Sequence, residues 1–189
     1  YPGLPKVEDK IGNPLSPYAV TKYVNELYAK VYANTYGLQL IGLRYFNVFG
    51  PKQSPNGPYA AVIPLFIQSL LNNEAPFING DGSHSRDFTF VSNAVQANMK
   101  ALFTENKEAI NQVYNIACGE QTTLLQLFNY LKNITQSNSN VVLREERKGD
   151  VKHSLADISK AKALLNYQPE ITVEQGLQQT VDWYKNNLS

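Results

Sequence analysis

Short apolar runs alternate with longer amphipathic segments along this chain, and that alternation restricts its fold more than any other feature. Residues 40–46 and 112–117 are rich in residues that favour β-strands, and the stretches around them repeat apolar residues at helical spacing. Strands that alternate with helices are typical of α/β proteins with parallel sheets. We therefore predict an α/β fold in which ligands bind beyond the carboxyl ends of the strands.

The clearest predicted helix runs from Ser16 to Gly37. Ser16 can cap the first turn, Pro17 suits the first helical position because it has no N–H, and glycine commonly ends a helix. At about 100° per residue, Tyr18 and Lys22 lie on one stripe of this helix. We expect the opposite, apolar stripe to pack against the protein. It consists of Val20, Val24, Leu27 and Val31.

The pairing of Tyr18 with Lys22 has a chemical meaning. A cation one helical turn away favours a phenolate, so a tyrosine in this setting can act as a base near neutral pH. No other Tyr-x-x-x-Lys occurs in the chain, although it contains 12 tyrosines. Such a pair is also common on the solvated face of an amphipathic helix, and the spacing alone leaves that alternative open.

Other elements have weaker signals. Ser92 is predicted to cap the helix that follows it, and Thr172 with Gln175 has the spacing of a capping box before the last helix. Short strands are predicted at residues 77–79 and 141–143, where apolar residues stand between turn-forming segments.

Composition narrows the classes of partner. The chain has 189 residues with 17 Lys+Arg and 16 Asp+Glu, which gives a net charge of +1. Both signs are spread along the sequence, so nothing indicates nucleic acid or a membrane surface as a partner. No apolar run approaches the ~20 residues of a membrane helix. Cys118 is the single cysteine, so an internal disulfide is impossible and a reducing, cytoplasmic setting is expected.

Three motifs occur in order: Ser16-Pro-Tyr-Ala-Val-Thr-Lys22, Leu43-Arg-Tyr-Phe-Asn-Val-Phe-Gly-Pro51 and Asp81-Gly-Ser-His-Ser-Arg-Asp-Phe88. With these motifs the chain resembles the extended short-chain dehydrogenase/reductase family of NAD-dependent sugar-nucleotide epimerases and dehydratases. The segment 53–64 is similar to the UDP-N-acetylglucosamine 4-epimerase branch of that family.

The resemblance implies a particular arrangement within the α/β class. The chain would be the C-terminal part of a Rossmann-type, doubly wound domain interleaved with a small α/β substrate-binding lobe. Residues 1–50 and 84–118 are assigned to the Rossmann-type domain, and residues 51–83 and 119–189 to the lobe.

For the cofactor, the resemblance implies NAD. Tyr18 would act as the base on the sugar 4-hydroxyl, and Lys22 would hold the nicotinamide ribose. Tyr45, Phe46 and Val48 would also lie beside NAD. The family's glycine-rich dinucleotide motif does not occur in these 189 residues, and its catalytic Ser or Thr would precede residue 1. We therefore expect the chain to be the C-terminal part of a longer enzyme, inactive on its own.

Further positions match the family's contacts to a UDP-sugar. Asn47 and Arg86 are expected near the phosphates, where a planar guanidinium can bind two oxygens at once. Gln53 would lie beside the sugar acetamido group. The other implied substrate residues are Ala61 and Val62 at the uracil, Arg147 at the phosphates, Asp150 at the ribose or an arginine, and Ser154 beside the C2 substituent. Without the family context, Asn47 would only cap a turn and Arg86 would form a surface ion pair.

The function predicted for the full-length enzyme is NAD-dependent 4-epimerisation of a UDP-hexose, specifically between UDP-N-acetylglucosamine and UDP-N-acetylgalactosamine. A homodimer is expected to form through the Tyr18 helix, and no metal ion is expected. Two alternatives stay open. The motifs also suit another epimerase or dehydratase, such as UDP-glucuronate 4-epimerase or dTDP-glucose 4,6-dehydratase. A chain without the cofactor loop could instead be an inactive binding or dimerisation fragment.

Overall fold

The computed structural model describes residues 3–56, 61–146 and 151–187 of the protein. In chain order the helices are α1 Pro17–Tyr36, α2 Val62–Leu71, α3 Val91–Leu102, α4 Leu124–Thr135, α5 Ser159–Leu165 and α6 Val173–Asn187. The strands are β1 Ile41–Tyr45, β2 Val48–Phe49, β3 Phe77–Asn79, β4 Ser85–Arg86, β5 Thr89–Phe90, β6 Gln112–Ile116, β7 Thr122–Thr123 and β8 Val142–Arg144. A 3-10 turn covers Lys107–Ala109. This mixed order confirms the predicted α/β class.

The two longest strands pair in parallel, as their position between helices predicts. β1 lies beside β6, with Ile41 opposite Gln112 and Tyr45 opposite Ile116. Shorter parallel pairs join β2 to β5 and β3 to β8, and β4 pairs with β7 in the antiparallel sense. Parallel strands need a crossover connection, and α2 and α3 lie between β1 and β6 along the chain.

Two clusters of buried side chains hold these elements together. The first combines side chains from α2, α4 and α6 with those of β2, β3 and β5. The second combines side chains from α3, α5 and β6, with β1 packed against it. Burying one large aliphatic or aromatic side chain stabilises the fold by about 1.5–3 kcal/mol, so each cluster fixes the strands it contains. The predicted division into residues 1–50 and 84–118 against residues 51–83 and 119–189 stays a prediction.

Helix α1 forms as predicted but packs on a different face. The Ser16 hydroxyl accepts a hydrogen bond from the Ala19 N–H, and Gly37 ends the helix with a left-handed φ of 67°. The apolar stripe does not pack against the protein: its four members are 36–56% exposed. That prediction was wrong. The half-buried face consists of Ala19, Tyr23, Glu26, Ala29 and Ala33.

An ion pair explains this orientation of α1. The Arg44 guanidinium on β1 binds both carboxylate oxygens of Glu26, at 2.6 and 2.7 Å, and also donates to the Glu8 carbonyl. Two parallel N–H···O bonds fix both position and angle. The alanines on the same face add little bulk, so the helix is attached through a charged contact rather than through its apolar stripe.

The start of α3 is a second correction. Ser92 lies inside the helix, which begins at Val91 with Phe90 at the capping position and no side-chain cap. Because β5 ends at Phe90, the chain passes from strand to helix without a linker, and Ser92 comes too late to cap it. The capping box of Thr172 with Gln175 is confirmed: each side chain binds the other's backbone N–H, at 3.3 and 3.0 Å.

Candidate functional site

A cavity of about 580 Å³ lies among β2, α2, β3, β4 and β8. Six of the residues predicted from the sequence line it: Asn47, Val48, Gln53, Ala61, Val62 and Arg86. These residues come from three separate segments of the chain. The fold therefore brings together most of the predicted substrate positions that fall within the described ranges.

Arg86 is fixed at the cavity wall by backbone carbonyls. Its Nη1 donates to the Ser85 carbonyl at 2.9 Å and to the Lys152 carbonyl at 3.2 Å. Its strand β4 pairs with β7, where Arg86 stands opposite Thr122. The side chain is half-buried. These contacts hold the guanidinium in place at the cavity wall.

Asn47 makes the turn between β1 and β2. Its φ of 39° lies in the left-handed region, which asparagine tolerates better than most residues. Its side-chain amide donates to the Asp87 carbonyl at 3.1 Å, and its own carbonyl accepts from the Thr89 N–H at 3.2 Å. Asn47 is thus tied to the β4–β5 segment that also holds Arg86.

Asp87 connects the segment of Arg86 to residues 118–119 and 156, and the sequence predicted no role for it. Its buried carboxylate accepts hydrogen bonds from the backbone N–H groups of Cys118, Gly119 and Ala156, at 3.0–3.1 Å. Burial raises the pKa of this carboxyl to about 6, although the N–H donors favour the charged form. In the sequence, only the position of Asp87 next to Arg86 could have indicated a role. Its hydrogen-bond partners lie 31 to 69 residues away, so no local pattern contains them.

Ser154 lies beside the strand of Arg86 but does not line the cavity. Its N–H donates to the Ser85 carbonyl at 3.1 Å. The Ser85 hydroxyl lies 2.9 Å from His153 Nδ1 and accepts from the Gln121 amide at the same distance. This network aligns the segment of Ser154 with β4. Arg147 and Asp150, the other two predicted substrate residues, lie outside the described residues.

Gln53 lines the cavity, and the hydrogen bonding of its side chain is unusual. Its side-chain oxygen is buried and has no hydrogen-bond partner among the described residues. Its backbone carbonyl accepts from the Tyr184 hydroxyl, which attaches the loop to α6. Buried polar atoms in proteins are nearly always paired. An unpaired acceptor at a cavity therefore fits a ligand that brings a hydrogen-bond donor.

The predicted catalytic pair lies on α1, outside the set of residues that line the cavity. Tyr18 is 70% exposed, and Lys22 Nζ lies 5.2 Å from the centre of its ring. The phenol and the ammonium therefore stand together as the spacing predicted. Their relation to a bound sugar stays a prediction.

The remaining positions predicted for NAD have other contacts. The Tyr45 hydroxyl donates to Asn98 at 2.9 Å, and Phe46 packs against the second buried cluster. Val48 lines the cavity. A phenol beside an ammonium suits the nicotinamide-ribose end of NAD, whereas the 189 residues contain no glycine-rich turn for its pyrophosphate. The residues present thus fit one end of this cofactor.

The Cys118 thiol has low reactivity. Burial raises the pKa of its thiol to about 11, and the nearby Asp87 carboxyl adds to this shift. A thiol in that state is a poor nucleophile near neutral pH. Within the described ranges, no three His, Cys, Asp or Glu side chains are grouped to hold a metal ion, and no helix has the length and apolar character to cross a membrane.

Residues 2–180 match the family model described as GDP-mannose 4,6 dehydratase, and the chain belongs to this group within the NAD-dependent epimerase/dehydratase family. The chain is also similar to a curated relative, a putative UDP-glucose 4-epimerase of Methanocaldococcus jannaschii. The two are 39% identical over 184 residues, which are 97% of this chain and 58% of that protein.

Two solved structures are similar over nearly the whole chain. A UDP-N-acetylglucosamine 4-epimerase from Methanobrevibacter ruminantium, in complex with UDP-N-acetylmuramic acid, is 43% identical with a TM-score of 0.92; the match covers 98% of this chain and 59% of that one. A UDP-glucuronic acid 4-epimerase from Bacillus cereus, in complex with UDP-glucuronic acid and NAD, is 34% identical with a TM-score of 0.87, covering 96% and 56%. The chain thus spans little more than half the length of these proteins.

Proposed function

We propose that this chain supplies the UDP-sugar site and the catalytic base of an NAD-dependent UDP-sugar 4-epimerase. The observation that carries the proposal is the cavity that gathers Asn47, Gln53 and Arg86 from separate segments. Membership of the epimerase/dehydratase family supports it. The three similar proteins described above are named for three different sugars, so the sugar must be argued from this chain's own residues.

Tyr18 is proposed as the base. It takes the proton from the sugar 4-hydroxyl as the C4–O bond becomes a carbonyl, and it returns a proton when the opposite 4-hydroxyl forms. NAD would supply the redox chemistry as acceptor and then donor of the C4 hydride, so the net redox change would be zero. Lys22 would place its ammonium beside the reacting hydroxyl, since its Nζ lies 5.2 Å from the centre of the Tyr18 ring. Tyr18 and Lys22 would hold the nicotinamide-ribose end of NAD, with Tyr45, Phe46 and Val48 beside it.

Arg86 and Asn47 are proposed to hold the pyrophosphate while the sugar rotates within the site. The phosphates carry the same charge in substrate, intermediate and product, so these contacts stabilise all three almost equally. Arg147 and Asp150 are assigned to the same end of the ligand. Ala61 and Val62 would face the uracil, and Ser154 would border the C2 substituent. The whole protein is proposed to act as a homodimer through α1.

We assign the sugar as an N-acetylhexosamine. The unpaired side-chain oxygen of Gln53 would accept the N–H of a 2-acetamido group. Pairing of a buried acceptor is worth about 1–3 kcal/mol. The substrate pair is therefore UDP-N-acetylglucosamine and UDP-N-acetylgalactosamine.

The activity is tested by incubating the whole protein and NAD with UDP-N-acetylglucosamine and following the sugar signals by NMR. Conversion to UDP-N-acetylgalactosamine is expected. A 4-keto-6-deoxy product would instead show a dehydratase, and turnover of UDP-glucuronate alone would show a uronate epimerase. Binding without turnover would favour the inactive-fragment alternative.

The sugar assignment has its own test. Gln53→Ala is expected to lower kcat/KM for UDP-N-acetylglucosamine by roughly tenfold, and for UDP-glucose by much less. The control is Gln178→Ala, which removes an exposed amide on α6 that binds Asp182 and should change neither value. An equal loss of kcat/KM for both sugars would show that Gln53 does not bind the acetamido group.

A further inference from the structure

The Arg44–Glu26 ion pair lies between the helix of the proposed base and the strand that leads to the cavity. Glu26 follows Tyr18 and Lys22 at the same four-residue spacing, so the three side chains form one ridge along α1. Arg44 is on β1, three residues before Asn47, which lines the cavity. The pair therefore connects α1 to the strand end at which the cavity begins.

The geometry of the pair restricts both the position and the angle of α1. Arg44 Nε and Nη2 donate to the two carboxylate oxygens of Glu26, at 2.6 and 2.7 Å. The two side chains are only 24% and 23% exposed, so water and salt screen this pair less than a pair on the surface. Two parallel N–H···O bonds to a planar guanidinium resist rotation as well as displacement.

The strand side of this contact is itself fixed. Arg44 Nη1 donates to the Glu8 carbonyl at 2.9 Å, and the Glu8 carboxylate accepts from the Asn115 N–H at 2.9 Å. Asn115 is buried on β6, stands opposite Arg44 in the parallel register, and donates its side-chain amide to the Lys6 carbonyl at 2.9 Å. The guanidinium thus belongs to a frame that joins β1, β6 and the chain before α1.

Apolar packing contributes less to the position of α1. None of its residues is fully buried, and its half-buried face includes Ala19, Ala29 and Ala33. The rise from Tyr18 to Glu26 is about 12 Å along the axis, so a tilt of about 5° at Glu26 would move the phenol by about 1 Å. A base must lie within about 2.6–3.2 Å of the proton that it takes, and a misplacement of about 1 Å can cost roughly 10²-fold in rate.

We propose that Arg44 and Glu26 are positioning residues for the reaction, and that their ion pair sets the distance from the Tyr18 hydroxyl to a sugar held in the cavity. The inference rests on the proposed function in taking Tyr18 as the base. Neither residue of the pair lines the cavity. Loss of the pair should therefore slow the chemical step and leave the affinity for the nucleotide unchanged.

The test is a double-mutant cycle on the whole protein with NAD and UDP-N-acetylglucosamine. Arg44→Lys keeps the charge but loses the planar fork, and Glu26→Gln keeps the shape but loses the second acceptor oxygen. Each variant is expected to lower kcat by roughly tenfold, while Kd for UDP from titration calorimetry changes by less than about twofold. Because both changes remove the same contact, the double variant should also lose about tenfold in kcat rather than about a hundredfold.

Two further measurements separate positioning from a purely structural role. The stoichiometry of UDP binding counts folded sites, so kcat is expressed per folded protein. Hydrogen exchange followed by mass spectrometry does not depend on turnover. Peptides of α1 should exchange roughly tenfold faster in each single variant, because the contact that orients the helix is lost, and peptides of α2 should not change.

Glu170→Gln is the matched control. It makes the same chemical change at another carboxylate that joins a helix to a distant segment, since Glu170 accepts from the Gln96 amide of α3 at 2.9 Å. Neither of these two residues lines the cavity. The control should keep kcat, the affinity for UDP and the exchange of α1 at wild-type values.

Each other result would overturn the inference. Unchanged kcat in Arg44→Lys and Glu26→Gln, with or without faster exchange in α1, would show that the pair only stabilises the helix. Weaker UDP binding would place its effect on the ligand, and a loss of about a hundredfold in the double variant would show that the two residues act separately. A wild-type protein that turns over no UDP-sugar contradicts the proposed function and this inference with it, whereas an active wild type with unaffected variants contradicts this inference alone.

Discussion

Among single residues, Tyr18 carries the strongest chemical claim. Tyr18→Phe removes one hydroxyl and little volume, so we expect kcat of the whole enzyme to fall by roughly 10²–10⁴-fold while UDP-sugar binding stays nearly unchanged. Tyr28→Phe is the matched control, because Tyr28 is on the same helix and is 62% exposed. Steady-state kinetics and ligand titration of both variants decide the point. Retention of more than about a tenth of the wild-type kcat would exclude Tyr18 as the base.

A second prediction at the level of single residues concerns Asp87 and the pH dependence of folding stability. Its pKa is about 6 in the folded protein and 3.8 when unperturbed, so the folded state binds more protons between these values. The contribution of this carboxyl is therefore fully present below pH 3.8 and is lost as pH rises through about 6. Asp157 has the opposite sign: hydrogen bonds from Ser159 lower its pKa, so its contribution is lost as pH falls.

The measurement is the free energy of unfolding of the chain by urea between pH 4 and pH 7. Asp87→Ala leaves three backbone N–H groups without an acceptor, and we expect a loss of about 3 kcal/mol or more at pH 4. The difference from the wild type should shrink as pH rises to 7. For Asp157→Ala the difference should grow with pH. A loss for Asp87→Ala that grows towards pH 7 would contradict the raised pKa.

At the level of elements, local signals predicted where helices and strands form better than which face they bury. The Ser16 cap, Pro17 and Gly37 defined α1 correctly because each acts within one turn. The apolar stripe was misassigned because helical spacing shows which side chains share a face and not what covers that face. The contact that orients α1 joins Glu26 to Arg44, 18 residues apart, and no local pattern contains it.

The candidate site shows the same limit. Asn47, Gln53 and Arg86 were predictable because they lie in motifs whose order along the chain is recognisable. Asp87 was not predictable, since its role depends on hydrogen bonds from three distant backbone N–H groups. For the same reason Ser92 was misplaced, as the direct passage from β5 into α3 overrides a local capping preference.

For the whole molecule, the apolar stripe of α1 is the feature from which we predict an interface, because the described residues leave it exposed. Val20, Val24, Leu27 and Val31 are 36–56% exposed on one face of a helix that buries none of its residues among those described. A twofold axis beside this face would pair α1 with the α1 of a second copy, since self-complementary apolar helix faces favour closed dimers. A stable interface of this kind buries about 800 Å² on each partner.

We therefore expect the whole protein to be a dimer in light scattering, and Leu27→Glu to shift it to the monomer mass because a carboxylate would be buried without a partner. Leu125→Glu is the control: Leu125 is 43% exposed on α4, close to the 46% of Leu27, and should leave the dimer intact. A monodisperse wild-type monomer would contradict the dimer. Protection of the stripe from hydrogen exchange in that monomer would show that another segment of the same chain covers the stripe. In that case Leu27→Glu would lower the unfolding temperature without changing the mass.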